Sequence, residues 1–269
     1  SASDVQAVRA AVARSLTDRD CGEPSVVAVA LIRDAMTGAR PLMVAGDDRH
    51  TYWAKGPGNP HGDLTLAHEW VMSEISRHIG GPLAPGVLLE VDDDLLQGWT
   101  IDGSRREAGT WFGSRLVSGE ERTALQLAHR DGNPERIPYY LALWHLCLGV
   151  DAQFIYDKAQ DDRVWSIDHG MWFANGDGDW NEQAGGLDVF SGQVWPDPDW
   201  VGSRSVNPQT LHDAADALMA LSAERLGEIT GSVPVQWNLD PESRVELAMF
   251  VLQRRRQVSD QLRAYAAQR

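Results

Sequence analysis

The hydrophobic pattern of this chain shifts near Ser118 from mainly short strand-like runs to a helical period that holds for much of the remainder, and that change limits the folds open to it. Before it, short runs rich in β-branched and aromatic residues, Val26 to Ile32, Pro41 to Ala45 and Tyr52 to Lys55, are separated by Met36-Thr37-Gly38-Ala39 and Gly46-Asp47-Asp48-Arg49. Runs of this length between turn-forming clusters predict an antiparallel meander, with further strands at Val87 to Val91 and Trp111 to Val117. Two helices belong to this half. Ser1 to Leu16 carries Val5, Val8, Ala11, Val12 and Leu16 on one face, with Asp4 near its start. Leu64 to Ile79 repeats apolar residues at Leu66, Trp70, Val71, Ile75 and Ile79 and stops at Gly80-Gly81-Pro82, where glycine and proline end helices.

After Ser118 the period becomes helical. Ser118 and Glu121 have capping-box spacing, and Asn133-Pro134, Asn207-Pro208 and Asp240-Pro241 each set a capping side chain before a first-turn proline. The second half is therefore expected to be mainly helical, including Tyr139 to Leu148. Its exception is Phe154 to Asp168, two apolar runs around Asp157-Lys158-Ala159-Gln160-Asp161-Asp162, which predicts a hairpin. A polar stretch, Asn175 to Val206, precedes the last helices.

Composition narrows the function classes. A chain of 269 residues with 43% apolar residues and 11 tryptophans can bury one large core or two smaller ones and is not a disordered polymer. Its 39 acids against 24 bases leave a net charge of −15, which repels polyanions and anionic lipid, so neither nucleic acid nor membrane is an expected partner. The longest apolar runs are shorter than the roughly 20 residues that span a bilayer, and the N-terminal segment is amphipathic, unlike a signal peptide. Of the two cysteines, Cys147 lies in an apolar helical run, so a reducing, cytoplasmic setting is expected.

Two constellations carry chemistry. Lys55 ends a predicted strand, and Glu69 follows fourteen residues later on the next helix; a strand lysine clamped by a helix carboxylate is one way to fix a cation for phosphates. Glu74 is a rival partner, and a strand-end lysine beside a solvated helix acid is the ordinary alternative. Asp151 and Gln153 open the predicted hairpin, and Asp168 closes it in Ser166-Ile167-Asp168-His169-Gly170. Phosphoryl transfer needs a carboxylate near the incoming hydroxyl and oxygen ligands for Mg2+, which two hairpin ends can supply; each aspartate alone could equally be a turn former.

Taken as a series, Gly38-Ala39-Arg40-Pro41, Tyr52-Trp53-Ala54-Lys55, Glu69 with Gly80 to Pro85, Phe112-Gly113-Ser114, Asp151-Ala152-Gln153 and Ser166-Ile167-Asp168-His169-Gly170 resemble the compact HipA-like kinases. That resemblance implies an α+β, two-lobed protein-kinase-like fold: an N-terminal helix and linker (1–24), an N-lobe of antiparallel sheet plus one helix (25–117), and a helical C-lobe with the catalytic hairpin (118–269). It implies an ATP- and Mg2+-dependent phosphotransferase acting on a protein Ser/Thr or a small-molecule hydroxyl. Lys55 would bind phosphates, Glu69 would orient Lys55, the Gly38 turn would cover the phosphates, and the strand at Ser114 would lead into the adenine-binding hinge. Asp151 would be the base and Asp168 a metal ligand. The pattern's asparagine ligand, about five residues after the catalytic aspartate, is replaced here by Phe154-Ile155-Tyr156, which leaves Gln153 as the nearest amide. A nucleotide-binding pseudokinase is therefore the main alternative, and an interaction protein without a nucleotide site is a third reading.

Other patterns are less specific. His68-Glu69 has Met72, not histidine, at the position a zinc-protease helix requires. Asp177, Asp179, Asn181 and Asp188 imitate a calcium loop but place Glu182 where its glycine belongs. Arg254-Arg255-Arg256 reads as a solvated helix face with Asp260 nearby, an acidic partner being the alternative. Trp172, Trp180, Trp195 and Trp200 read as packing residues near the cleft, with substrate contact open.

Overall fold

The computed structural model describes residues 1–18, 21–35, 38–101, 103–122, 129–130, 132–174, 180–198 and 206–268. Met36, Thr37, Asp177, Asp179 and Trp200 lie outside them, so the first turn is described only from Gly38 and the calcium-like pattern only in part. Helices and strands are mixed along the chain. It opens with α1 (Ala2–Thr17), capped reciprocally by Ser1 and Asp4, then β1 (Val26–Asp34), β2 (Leu42–Gly46) and β3 (Thr51–Lys55). Next come α2 (Leu64–Ile79), β4 (Gly86–Val91), the short pair β5 (Thr100–Ile101) and β6 (Ser104–Arg105), and β7 (Gly109–Arg115).

The meander from β1 to β3 is antiparallel, and β7 lies between β3 and β4. The expected antiparallel sheet needs one correction: β1 also pairs in parallel with β4, Val26 with Leu89 and Val27 with Glu90, closing five strands into a barrel. Twisted strands can close in this way, which leaves no open edge. Val26, Ala28, Leu42, Val44, Tyr52, Ala54, Leu89, Val91 and Trp111 form the cluster that these strands bury together. Phe112 and Leu88 instead join α2 in the larger core.

The capping-box reading at Ser118 is also corrected. Gly119–Arg122 is β8, an edge strand on β9 (Gln153–Asp157), which pairs in turn with β10 (Arg163–Ile167). A Cβ at Gly119 would collide with the Tyr156 carbonyl, so this strand can approach β9 only with glycine there. The hairpin expected between Phe154 and Asp168 is present. It is held to the first half of the chain by the strip after α2, where Ser166 N–H donates to the Pro82 carbonyl at 2.7 Å and Ala84 N–H to the Ser166 carbonyl at 3.1 Å.

The helices of the second half are α3 (Asn133–Leu146), α4 (Pro208–Ala220), α5 (Ala223–Gly231) and α6 (Pro241–Ala267). Asn207 and Asp240 cap α4 and α6 as their sequences predict. Asn133 does not cap α3: Gly132 holds that position, and the buried Asn133 amide accepts from Val164 N–H at 2.8 Å and donates to the Asp162 carbonyl at 3.0 Å. The nearby β-hairpin offers it a donor and an acceptor that a helix start cannot match.

Arg254 overturns the solvated-face reading. It is 1% exposed, and its guanidinium donates to the carbonyls of His145 (2.6 Å), Leu146 (3.1 Å), Phe190 (2.7 Å) and Gln193 (2.9 Å). Arg256 alone of the three is exposed. Among the described residues, no helix is long and apolar enough to cross a membrane.

Candidate active site

Between the barrel and the hairpin sheet lies a cleft of about 510 Å³, a size ordinary for small-molecule sites. Its lining includes Gly38, Lys55, Glu69, Ser114, Asp151, Gln153 and Asp168, every site residue expected from the sequence. They come from six places in the chain: the turn before β2, the end of β3, α2, β7 and the two ends of the β9–β10 hairpin.

Lys55 sits at the centre. Its ammonium donates to Glu69 Oε1 and, at 2.7 Å, to Asp168 Oδ1. The Lys55 side chain is 10% exposed and that of Glu69 3%, whereas Asp168 keeps 39% of its surface open. Burial alone would lower the lysine's pKa, but the carboxylates of Glu69 and Asp168 outweigh it and hold the ammonium above its ordinary value. Glu69 shows the reciprocal balance: burial favours its neutral form, while Lys55 and His169 hold it ionised below the usual carboxylate range. The rival Glu74 bonds Arg77 on another side of α2, so the helix period settles which acid meets the lysine.

The hairpin aspartates share an uncommon backbone. Asp151 has φ 48° and Asp168 φ 59°, left-handed conformations that aspartate tolerates better than most residues and that cluster at functional sites. Pairing of Gln153 with Ile167 at the ladder's end brings the two aspartate-bearing turns together. Gln153 Nε2 donates to Asp151 Oδ2 at 2.9 Å. His169 Nε2 lies 2.8 Å from Ser166 Oγ and its Nδ1 3.7 Å from Glu69 Oε2, with the ring edge-on to Trp172.

The donor set fits a hard divalent cation of the kind that phosphates bring with them. Mg2+ commonly takes one or two protein carboxylates and completes its shell with substrate oxygens and water. The exposed Asp168 carboxylate, with the Gln153 oxygen on the same cleft, supplies that kind of partial shell. No cluster of three or more His, Cys, Asp or Glu suited to an all-protein metal cage occurs among the described residues.

Several lining residues were not singled out from the sequence: Trp53, His61, Glu121, Ile155, Ile167 and Met171. Trp53 was readable in principle, because it stands two residues before Lys55 and strand alternation puts both on one face. Glu121 was hidden by the false helix start. Trp180, by contrast, is the fully buried packing residue it was expected to be.

Compared with known protein families, residues 28–139 match the model described as HipA-like kinase. The matched span carries Gly38, Lys55, Glu69 and Ser114; Asp151, Gln153 and Asp168 lie beyond it. No curated protein matches the chain significantly. Among solved structures, the crystal structure of a Helicobacter pylori proinflammatory kinase, CtkA, is similar at 11% identity and a TM-score of 0.49, over 87% of this chain and 93% of that one. The similarity to HipA-like kinases thus rests on residues 28–139, fewer than half of the chain's 269 residues.

Proposed function

We propose that the protein is an ATP-dependent phosphotransferase of two-lobed, kinase-like design, moving the γ-phosphoryl group to a protein Ser/Thr or a small-molecule hydroxyl. The observation that carries this reading is the buried Lys55, held between Glu69 of α2 and Asp168 of the hairpin at the cleft. A lysine kept charged by two carboxylates from opposite sides of a cleft is poised to meet the phosphates, and its two partners fix where the charge sits. The family match over 28–139 supports the same reading for the half that carries Lys55 and Glu69.

In this reading Asp151, exposed at the cleft and bonded by Gln153, orients the acceptor hydroxyl and takes its proton. Asp168 and the Gln153 oxygen would hold Mg2+, which when bound neutralises phosphate charge. Lys55 supplies positive charge beside it, and Glu69 keeps that charge in place. Asp151→Asn is expected to retain ATP binding and to lower ATP turnover or autophosphorylation by about 100-fold or more, the usual scale for a lost general base. Undiminished turnover in that variant would remove the assignment.

One observation favours the second reading, a nucleotide-binding pseudokinase. The amide nearest the base is a glutamine whose nitrogen already bonds Asp151, in place of the asparagine of the family pattern. Nucleotide binding without turnover in the unaltered protein would select it.

A further inference from the structure

His68 precedes Glu69 on α2 and is fully buried. Its Nε2 lies 2.9 Å from Trp180 Nε1, and its Nδ1 lies 3.0 Å from the carbonyl oxygen of Gly170. An indole N–H can only donate and a carbonyl can only accept. Nε2 must therefore carry the lone pair and Nδ1 the proton, a single neutral tautomer. A second proton would set an N–H against the indole N–H, and burial pushes the imidazole down to about 4.

The two bonds join three parts of the molecule. Gly170 ends the Asp168-His169-Gly170 turn, Trp180 opens the segment that follows, and His68 belongs to the helix that carries Glu69. The turn lies flush on α2: a Cβ at Gly170 would sit 3.0 Å from Thr65 Cβ and 3.7 Å from Glu69 Cγ. Phe173 packs on the His68 ring at 5.1 Å and on Phe250 of α6 at 6.3 Å.

We propose that His68 is a positioning residue, a latch that holds α2, the Asp168–Gly170 turn and the Trp180 segment in one register and so keeps Glu69 on Lys55. Its consequence for catalysis rests on the phosphotransferase reading; the latch itself does not need a nucleotide. Loosening either bond frees α2 to shift relative to Asp168, and the first contact affected is the one between Glu69 and Lys55.

The chain's composition supplies a direct test, because Lys55 and Lys158 are its only lysines. The side chain of Lys158 is 67% exposed and serves as an internal reference. Limited acetylation with acetic anhydride, read by mass spectrometry, gives the Lys55/Lys158 labelling ratio without any nucleotide. His68→Leu and Trp180→Phe should each raise that ratio about fivefold or more, the change that ~1 kcal/mol of weakened pairing produces. His68→Gln, whose amide can accept from Trp180 and donate to Gly170, should restore the low ratio.

An unchanged ratio in folded His68→Leu, or a high ratio in His68→Gln, would overturn the latch. If His68→Leu does not fold, Trp180→Phe decides alone, since it removes the indole donor while keeping an aromatic ring at that position. Calorimetry with ATP and Mg2+ on the unaltered protein separates the two claims. An absence of binding there would sink the phosphotransferase reading, while the labelling ratio would still judge the latch.

Discussion

At the scale of single residues, the site depends on which groups are kept charged and which neutral. Lys55 and Glu69 are buried as ions because each is the other's partner, whereas His68 one position earlier is buried neutral because both its nitrogens are occupied. Glu69 and His68 nevertheless resist proton uptake in the same direction, since the fold lowers the pKa of both. His68 ordinarily titrates near 6.5 and is lowered to about 4 by burial, so between those values the unfolded chain binds more protons than the folded one. Its contribution to stability is complete above pH 6.5 and is lost as pH falls toward 4, by up to about 3 kcal/mol. Urea midpoints measured from pH 7 to 4 should fall more steeply for the unaltered protein than for His68→Gln; parallel curves would contradict this. Lys55 and Glu69 were legible in the sequence because strand end and helix face fix their approach within fourteen residues. His68 was not, because its partners Gly170 and Trp180 stand about a hundred residues away and nothing local announces them.

At the scale of elements, the hairpin is the part that must be held still, since both candidate aspartates stand at its ends. It is held by β8 along one edge, by the strip from Pro82 to Ala84 along the other, and from α3 by the Asn133 amide and by the Arg136 guanidinium, which donates to the Val164 carbonyl. Asn133→Ala strands a buried N–H of Val164 and a carbonyl of Asp162, at about 1–3 kcal/mol. The expected result is a lower denaturant midpoint with faster amide exchange at Val164; unchanged exchange there would show that the amide is not a tether. Element legibility followed local signal. α2 was read to its true ends because its apolar period and Gly80-Gly81-Pro82 agree. β8 was misread because Gly119 to Arg122 has no apolar alternation to mark it as a strand. Its pairing with β9 is tertiary, and the Ser118 and Glu121 spacing imitates a cap.

At the scale of the whole molecule, α6 organises the second half through two buried arginines on one helix. Arg244 donates to carbonyls of Thr230, Gly231 and Val233 at the end of α5, and Arg254 to those of His145 and Leu146 at the end of α3. Each places positive charge at a helix C-terminus, where unsatisfied carbonyls concentrate. Arg254 thus steadies the chain as it leaves α3 for Asp151. Arg254→Met should cost on the order of 3 kcal/mol, because several buried carbonyls lose their donor together; a loss below about 1 kcal/mol would mean that water replaces it. The sequence could not reveal this, since a run of three arginines near Asp260 looks solvated until the fold buries one. Barrel closure was hidden for the same reason: the parallel contact of β1 with β4 spans some sixty residues.

The central claim is that Lys55 and Asp168 form one nucleotide-binding centre, and ligand-dependent thermal stability tests it most directly. Melting of the unaltered protein, Lys55→Ala and Asp168→Ala would be compared with and without ATP and Mg2+. At concentrations about 100-fold above the dissociation constant, binding adds about 2.7 kcal/mol, a shift of a few degrees for a chain this long. The account predicts that shift in the unaltered protein and its loss in both variants. A folded protein whose melting does not move with ATP and Mg2+, or a shift that survives both substitutions, would contradict it.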